Sequence, residues 1–231
     1  MPTNAPYDEI ADWYEHEFLG LQRSLGDGPY ADAIGVDRAL VELLGRGRDV
    51  CLEVGCGTGI YAERVRDLGW APVGIDISAG MLGHARGRLP AARGDAQHLP
   101  FRSGSVPAVI AVMVHTDMPD YAAVLSEVHR VLAPGGVFVH IGVHPCFCGG
   151  FADRSDLEAI VIRRGYLDEY WTTESHHDQG IRDKLGAAHM PLASLVNLMI
   201  DAGFDIRKVA EGAEPTPITL SFRATKPVDE G

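Results

Sequence analysis

The stretch Val50-Cys51-Leu52-Glu53-Val54-Gly55-Cys56-Gly57-Thr58-Gly59 decides the fold, because a largely apolar run leads directly into three glycines and a helical pattern follows. A short apolar run of this kind is typical of a strand that is buried on both faces of a sheet. Glycines at the end of such a strand let the backbone approach a ligand closely, and the next helix presents free amide groups to it. The stretch therefore predicts a strand, a ligand-binding loop and a helix, with a nucleotide-like ligand at the loop.

Strand and helix patterns alternate outward from this stretch. Further apolar runs predict strands at 71–76, 91–93, 107–112 and 137–143, and a final pair at 204–209 and 218–224. Apolar residues at helical spacing predict helices at about 59–68, 78–88, 121–132 and 192–199. This order predicts an α/β fold with a doubly wound, seven-stranded, mostly parallel sheet whose last strand is antiparallel.

We expect a single domain over 1–231, since a chain of this length fits one sizeable core. Its predicted parts are an N-terminal helical cap (1–46, with helices at 7–21 and 31–44), a cofactor-binding half (47–143), an insertion (144–190) and a C-terminal helix and strands (191–231). The insertion has no clean period, apart from a helix predicted over Asp156 to Arg163. Because ligands bind at the carboxyl ends of strands in open α/β sheets, we expect the insertion to form a lid-like wall of the substrate pocket.

The composition disfavours several functions. With 20 basic and 32 acidic side chains, the formal net charge is −12, which disfavours binding to nucleic acid or to an anionic membrane surface. No positive segment followed by an apolar stretch opens the chain, and the longest apolar run, 106–114, is about half of what spans a bilayer. We therefore expect a soluble cytoplasmic protein, monomeric or homodimeric, whose 4 cysteines are reduced thiols.

Acidic residues accompany the first three predicted strands. Glu53 stands two residues before the first glycine of the loop, Asp76 closes the second strand, and Asp95 follows the third. A carboxylate at the tip of the second strand can accept hydrogen bonds from both hydroxyls of a ribose, and one after the third strand can meet the exocyclic amine of a base. These three strand ends predict one adenosine-containing ligand.

The spacing of the glycines favours some adenosine cofactors over others. The dinucleotide fingerprint has glycine at the sixth position of the loop, where this chain has Ile60. Glu53 beside the loop suits a cationic ligand and is an unfavourable neighbour for a pyrophosphate. NAD is therefore disfavoured, and the absence of a P-loop lysine disfavours nucleoside triphosphates.

Four motifs carry a family resemblance: Glu53-Val-Gly-Cys-Gly-Thr-Gly59, Gly74-Ile-Asp-Ile-Ser78, Gly94-Asp-Ala-Gln97 and Leu132-Ala-Pro-Gly-Gly136. Together they resemble the class I S-adenosylmethionine-dependent methyltransferases, in particular the small-molecule branch similar to ubiquinone and menaquinone biosynthesis methyltransferases. The resemblance is specific over about residues 48–143. It implies a Rossmann-like fold, S-adenosyl-L-methionine as the cofactor, and methylation of a small-molecule acceptor. Where the family usually has Phe-Asp at the start of the fourth strand, this chain has Val106-Pro107.

The resemblance also implies which residues surround the cofactor. Its methionine and ribose would be lined by Gly55, Cys56, Gly57 and Gly59, with Glu53 near the methionine end. Asp76 would hold the ribose hydroxyls. The adenine would be flanked by Ile77 and Met81 and read at its edge by Asp95 and Ala96, with a further contact from Met113. We expect Tyr14, on the leading helix, to approach the sulfonium.

Histidines are the first candidates for a catalytic base. Methyl transfer mainly requires alignment of the acceptor with the methyl group, and a base helps where the acceptor must lose a proton. His144 after the fifth strand is the leading candidate, with His115 after the fourth strand and His177 in the insertion behind it; His176, His189 and Asp117 are weaker ones. Tyr170 or Trp171 is expected to face a flat or cationic acceptor.

Two other functions remain open, namely a catalytically silent adenosylmethionine-binding protein and an NAD-linked oxidoreductase. A zinc site formed by His144, Cys146 and Cys148 with the pair His176-His177 is also conceivable. The spacing of the cysteines lacks the usual gap of two to four residues, and there is no second cysteine pair, so no metal is predicted.

Overall fold

A seven-stranded sheet forms the centre of the protein. The computed structural model describes residues 5–20, 32–156, 159–173, 181–213 and 215–228. The strands are β1 (Val50–Val54), β2 (Ala71–Asp76), β3 (Ala91–Arg93), β4 (Val106–Val112), β5 (Leu132–Val143), β6 (Ala152–Asp153), β7 (Val161–Ile162), β8 (Tyr170–Thr172), β9 (Ala187–His189), β10 (Asp205–Gly212) and β11 (Thr219–Thr225).

The helices are α1 (Ala11–Trp13), α2 (Val36–Ala39), α3 (Ala62–Asp67), α4 (Ala79–Ala85), α5 (Tyr121–Val131), α6 (Ile181–Leu185) and α7 (Leu192–Asp201). Both α1 and α2 continue into a π-helical turn, at Tyr14–Phe18 and Leu40–Leu44 respectively. Short 3₁₀ turns cover Pro6–Glu9 and His115–Asp117. Among the described residues, no helix is both long enough and apolar enough to cross a membrane.

The order of the central strands is β10-β11-β5-β4-β1-β2-β3. The ladders among β1 to β5 are all parallel, whereas β11 is antiparallel to both of its neighbours. The predicted α/β fold, a Rossmann-like and mostly parallel sheet with an antiparallel last strand, is therefore confirmed. The parallel order brings the carboxyl ends of β1, β2, β3 and β4 to one edge of the sheet.

Helices cover both faces of this sheet. On one face, Leu125 of α5 and Leu195 of α7 are fully buried in the cluster that contains Phe138. On the other face, Leu40 and Leu43 are fully buried in the cluster that contains Val65, Ile110 and Ile141. Full burial of such a side chain contributes about 1.5–3 kcal/mol, so the two layers fix the strands that carry the site.

Two of the element boundaries that differ from the predicted ones have a cause in the backbone. The helix expected from 59 begins at Ala62, because Gly55, Gly57 and Gly59 all have positive φ and keep the loop non-helical. Strand β5 begins at Leu132 rather than at 137. Its register against β4 is irregular, since Val106 pairs with Leu132 but Ala108 with Val137. Pro107, which has no amide to donate, lies at this irregular point.

The insertion is built from short strand pairs. The helix predicted over Asp156 to Arg163 is wrong within the described residues, because Val161–Ile162 forms β7 and pairs antiparallel with β6. β-branched side chains favour a strand, and the ion pair between Arg163 and Asp153 at 2.7 Å closes the turn; residues 157 and 158 lie outside the described part. Strands β8 and β9 form a second antiparallel pair around α6.

Candidate functional site

A cavity of about 270 Å³ opens at the carboxyl ends of β1, β2 and β4. The N-terminal segment covers one side of it through Tyr7 and Tyr14, and the insertion contributes Trp171, Leu185 and Gly186. The residues that were predicted to surround a cofactor line this cavity with one exception: Tyr14, Glu53, Gly55, Cys56, Gly57, Asp76, Ile77, Met81, Asp95, Ala96 and Met113. The exception is Gly59.

The glycine loop has a backbone conformation that is unfavourable for residues with a side chain. Gly55 has a φ of 68°, and a Cβ there would lie 2.7 Å from Cγ1 of Val114. The amides of Gly55 and Cys56 both donate to the carbonyl of Ile75 in β2, at 2.8 and 3.1 Å. The loop is therefore tied to the neighbouring strand, with its backbone forming part of the cavity wall.

Gly59 does not line the cavity, and its role is in packing. Its φ is 73°, and a Cβ at this position would come within 2.4 Å of Cδ2 of Leu89. Leu89 is buried with Ala62 and Ala85, so Gly59 allows the loop to turn closely against α4 and the residues after it.

Asp76 at the end of β2 organises the next part of the wall. One of its carboxylate oxygens accepts from the amide of Gly57 at 2.8 Å, and the other accepts from the amide of Ser78 at 2.8 Å. Burial raises the pKa of Asp76, while these two hydrogen bonds act in the opposite direction. Each oxygen keeps a further lone pair, so the carboxylate can still accept hydrogen bonds from a ligand.

Glu53 is a buried carboxyl group at the end of β1. It is 2% exposed, and its Oε2 has no hydrogen-bond partner among the described residues. Burial, with a smaller contribution from Asp76, raises the pKa of Glu53 to about 8. An unpartnered buried carboxyl group next to an open cavity is favourable only if a ligand supplies its partner.

Replacing Glu53 with glutamine is expected to reduce the loss of folding stability that the cofactor-free protein undergoes as the pH rises through neutrality. The folded state holds the Glu53 proton more tightly than the unfolded chain, so stability from this group is lost as pH rises from about 4.5 to about 8. Glutamine removes a change on the order of 3 kcal/mol between pH 5.5 and pH 8.5, measured as the free energy of unfolding in urea. Glu63→Gln, at an exposed position of α3, is the control. Equal losses in Glu53→Gln and wild type would contradict the expectation.

Tyr7 and Asp117 join the N-terminal segment to the turn after β4. The Tyr7 hydroxyl donates to Oδ2 of Asp117 at 2.8 Å, across 110 positions of the chain. Burial raises the pKa of Asp117 to about 6, although the hydrogen bond from Tyr7 lowers it. Both residues line the cavity, so Asp117 is a carboxylate that can take up a proton near neutral pH.

Comparisons with known proteins find methyltransferases among the relatives of this chain. A model of the methyltransferase domain matches residues 52–140. The chain is 38% identical over 96 residues to a probable S-adenosylmethionine-dependent methyltransferase of Mycolicibacterium smegmatis, covering 40% of this chain and 37% of the relative. It is 34% identical over 134 residues to a demethylmenaquinone methyltransferase of Chlorobaculum tepidum, covering 56% of this chain and 54% of the relative.

The whole fold also has solved counterparts. A crystal structure of an S-adenosylmethionine-dependent methyltransferase from Mesorhizobium loti superposes with a TM-score of 0.65 at 23% identity, covering 82% of this chain and 95% of the other. Residues 52–140 therefore match a methyltransferase domain, and the fold is the one seen in that S-adenosylmethionine-dependent methyltransferase. The chain's matches span about a third to about half of the two curated relatives' length.

S-adenosylmethionine is the cofactor named for the Mycolicibacterium relative and for the Mesorhizobium structure, and the cavity of this chain fits it. The unpartnered Oε2 of Glu53 offers an acceptor to a cationic group, and the glycine loop leaves room that a Cβ at Gly55 would fill. Asp76 retains acceptor capacity for hydroxyl groups. Chemically, these donor and acceptor types match an ammonium group and a ribose.

The cavity wall also carries the residues predicted to meet the adenine. Ile77 lies between β2 and α4, and Met81 lies in α4. Ala96 follows Asp95, whose Oδ1 accepts from the amide of Gln97 at 2.9 Å. Met113 has a φ of 58°, uncommon for a residue with a side chain. Its amide donates to the carbonyl of Ile141 at 2.7 Å, which holds this strained turn at the cavity wall.

The two described histidines among the three leading candidates do not lie on the cavity wall. His144 is buried elsewhere, with Nε2 2.8 Å from Oε1 of Glu211 and Nδ1 accepting from the amide of Cys146 at 3.1 Å. His115 is buried against His140, with 5.0 Å between ring centroids, and burial lowers its pKa to about 4. His177 lies outside the described residues.

Some residues of the cavity wall carried little sequence signal. Asp117 was only a weaker candidate for a base, because histidine is the more common choice near neutral pH. Tyr61, two residues after the glycine loop, could have been found from its position beside the motif. Leu185 and Gly186 had no signal, because the insertion lacks a periodic pattern.

Proposed function

We propose that this methyltransferase transfers the methyl group of S-adenosylmethionine to a neutral or cationic small molecule, at an oxygen, nitrogen or carbon atom. An aromatic acceptor of the natural-product or quinone type fits the proposal. One observation carries it. The described residues that line the cavity include four carboxylates and no lysine, arginine or histidine: Glu53, Asp76, Asp95 and Asp117.

The sign of this charge favours some ligands and disfavours others. Ionised carboxyl groups around a partly enclosed, low-dielectric cavity attract a sulfonium and an ammonium and repel phosphate or carboxylate groups. A bound cation also favours the ionised form of Glu53, whose pKa is raised to about 8 without it. The net charge of −12 acts in the same direction over longer distances. Nucleic acids and anionic lipids are therefore poor acceptors for this protein, and a cytoplasmic monomer or homodimer acting on a small molecule is the form we propose.

Cofactor binding is assigned to the wall formed by β1, β2 and β3. Glu53 accepts a hydrogen bond from the methionine ammonium, Asp76 accepts from the ribose hydroxyls, and Ile77 and Met81 enclose the adenine. When bound, S-adenosylmethionine supplies an electrophilic methyl group on a positively charged sulfur. Tyr7 and Tyr14 pack edge to face, with 6.3 Å between ring centroids, and both line the cavity, where aromatic rings favour a positive charge.

Acceptor activation is assigned to Asp117. Its carboxylate accepts the proton that an acceptor hydroxyl or amine loses as the new bond forms, and Tyr7 holds the carboxylate in place through the 2.8 Å hydrogen bond.

Trp171 is 49% exposed and lines the cavity, so it offers a flat surface at which an acceptor can enter. Tyr170, the alternative predicted residue, packs against His189, with 5.5 Å between ring centroids. The N-terminal segment and α6 exclude water from the space between cofactor and acceptor.

The proposal is tested by measuring adenosylhomocysteine formation with a panel of neutral phenols, amines and quinols and a matched panel of phosphorylated or carboxylated analogues. Turnover is expected only with neutral or cationic members. Turnover restricted to the anionic panel would contradict the proposed charge preference. Tight adenosylhomocysteine binding with no turnover on any member would favour the catalytically silent alternative. A melting temperature raised by nicotinamide cofactors, and not by adenosylhomocysteine, would contradict the assigned cofactor site.

A further inference from the structure

The N-terminal segment docks on α4 and its flanking residues through three acidic side chains. Asp8 accepts from the Ser78 hydroxyl at 2.6 Å and from the amide of Gly80 at 2.8 Å. Asp12 lies 2.8 Å from Nε2 of His84. Glu15, which is 6% exposed, accepts from the guanidinium of Arg88 at 2.6 and 3.0 Å. These contacts follow one side of the segment and one side of α4.

A third side chain, His16, lies next to the contact between Asp12 and His84. His16 follows Asp12 by four positions, so both side chains lie on the same side of the helical segment. The ring of His16 meets that of His84 edge to face, with 5.6 Å between centroids. One ligand-type atom from each of Asp12, His16 and His84 lies within 4.8 Å of the other two.

This geometry is close to that of a transition-metal site. Ligand atoms of a tetrahedral zinc ion with bonds of about 2.0 Å are separated by about 3.3 Å. Small rotations of the side chains, of which Asp12 and His16 are exposed, bring a spacing of up to 4.8 Å to that value, and the Asp12–His84 pair is already at 2.8 Å. Two imidazoles and one carboxylate leave the fourth position to water, and imidazole selects zinc, copper or nickel over magnesium or calcium.

We propose that Asp12, His16 and His84 bind a divalent transition metal ion, with Zn²⁺ as the favoured ion, and that this ion fastens the N-terminal segment to α4. The site is separate from the His144, Cys146 and Cys148 group that the sequence suggested and replaces the prediction that no metal binds. The fastened segment carries Tyr7 and Tyr14, and α4 carries Met81, so the ion would stiffen two walls of the cavity.

Zn²⁺ binding to the full chain, without an affinity tag, tests the site directly. The metal alone is titrated calorimetrically into wild type, His16→Ala, His84→Ala and His98→Ala. The first two variants are expected to raise the dissociation constant at least about 10-fold, since the loss even of outer-shell partners has that effect. His98 is exposed and lies outside the cluster, so its variant should match wild type. Equal Zn²⁺ affinity in all four proteins would overturn the proposal.

Two further readouts separate this site from other metal-binding groups of the chain. With Co²⁺ as the probe, the absorption spectrum should lack a thiolate charge-transfer band; its presence would place the ion at cysteine and overturn the proposal. Hydrogen exchange of amides in 11–18 should slow when Zn²⁺ is added to wild type and stay unchanged in His16→Ala and His84→Ala. Exchange that does not respond in wild type would overturn the fastening role.

Discussion

Replacing Asp117 with asparagine is expected to lower kcat by about 10²–10⁴-fold, the range that a positioned general base contributes. The asparagine side chain would keep the shape of the aspartate but could not accept a proton from the acceptor. Cofactor binding is expected to change little, because the cofactor contacts are assigned to β1, β2 and β3. The measurement is the steady-state rate of adenosylhomocysteine formation, together with the dissociation constant of adenosylhomocysteine.

The control for this variant is Asp201→Asn, which changes an exposed carboxylate on α7. It should have the rate of wild type. A rate for Asp117→Asn within about threefold of wild type, well below the range given for base catalysis, would remove Asp117 from the mechanism. Such a result would return attention to His177, which lies outside the described residues.

The pH dependence of kcat/KM should report the same group. The basic form of Asp117 is the active one, so activity is expected to fall as pH drops below about 6, where this carboxyl takes up its proton. Tyr7→Phe removes a hydrogen bond that lowers the pKa of Asp117, so the acid limb should move to higher pH. An acid limb unmoved by Tyr7→Phe would contradict the positioning role of Tyr7, which a purely structural role does not require.

Replacing Asp76 with alanine is expected to raise the dissociation constant of adenosylhomocysteine about 100-fold, as measured by calorimetry. Each hydrogen bond to a charged group contributes about 1.5–3 kcal/mol, and the ribose hydroxyls would lose their acceptor. The amides of Gly57 and Ser78 would also lose theirs, so the loop itself would be less well held. Asp76→Asn keeps one carbonyl acceptor and should fall between alanine and wild type.

Two comparisons make the Asp76 result interpretable. Asp95→Ala changes a carboxylate at the adenine end and is expected to weaken binding less, because it accepts from only one loop amide, that of Gln97. Asp201→Ala should leave the affinity unchanged. Melting curves for each variant show whether it is folded. A folded Asp76→Ala protein that binds adenosylhomocysteine like wild type would contradict the assigned cofactor site.

The sequence identified the fold and the cofactor side of the site because those features depend on local chemistry. Strands β1 and β2 fall where largely apolar runs end in glycine or aspartate, and parallel pairing then brings those ends together. Local sequence patterns did not predict the structure of the insertion. Val161 and Ile162 form a strand because Ala152 and Asp153 lie beside them, which no local pattern shows.

The catalytic side depended on distant parts of the chain. His144 follows β5 directly, as predicted, yet Glu211 of β10 holds it through a contact 67 positions away. Asp117 gains its raised pKa from burial beneath the N-terminal segment, and its partner Tyr7 is 110 positions away. Burial and long-range partners decide which titratable group faces the cavity. The position of a residue directly after a strand was therefore insufficient to identify a catalytic base.

By itself, the sequence determined the order of the strands, the glycine loop and the carboxylates Glu53, Asp76 and Asp95, because backbone sterics and hydrophobic periodicity act over a few residues. Only the tertiary structure decided that Asp117, and neither His115 nor His144, lies on the cavity wall. It also placed Asp12 and His16 of the N-terminal segment next to His84 of α4. The physical reason is that desolvation and side-chain contacts depend on the packing of elements far apart in the chain.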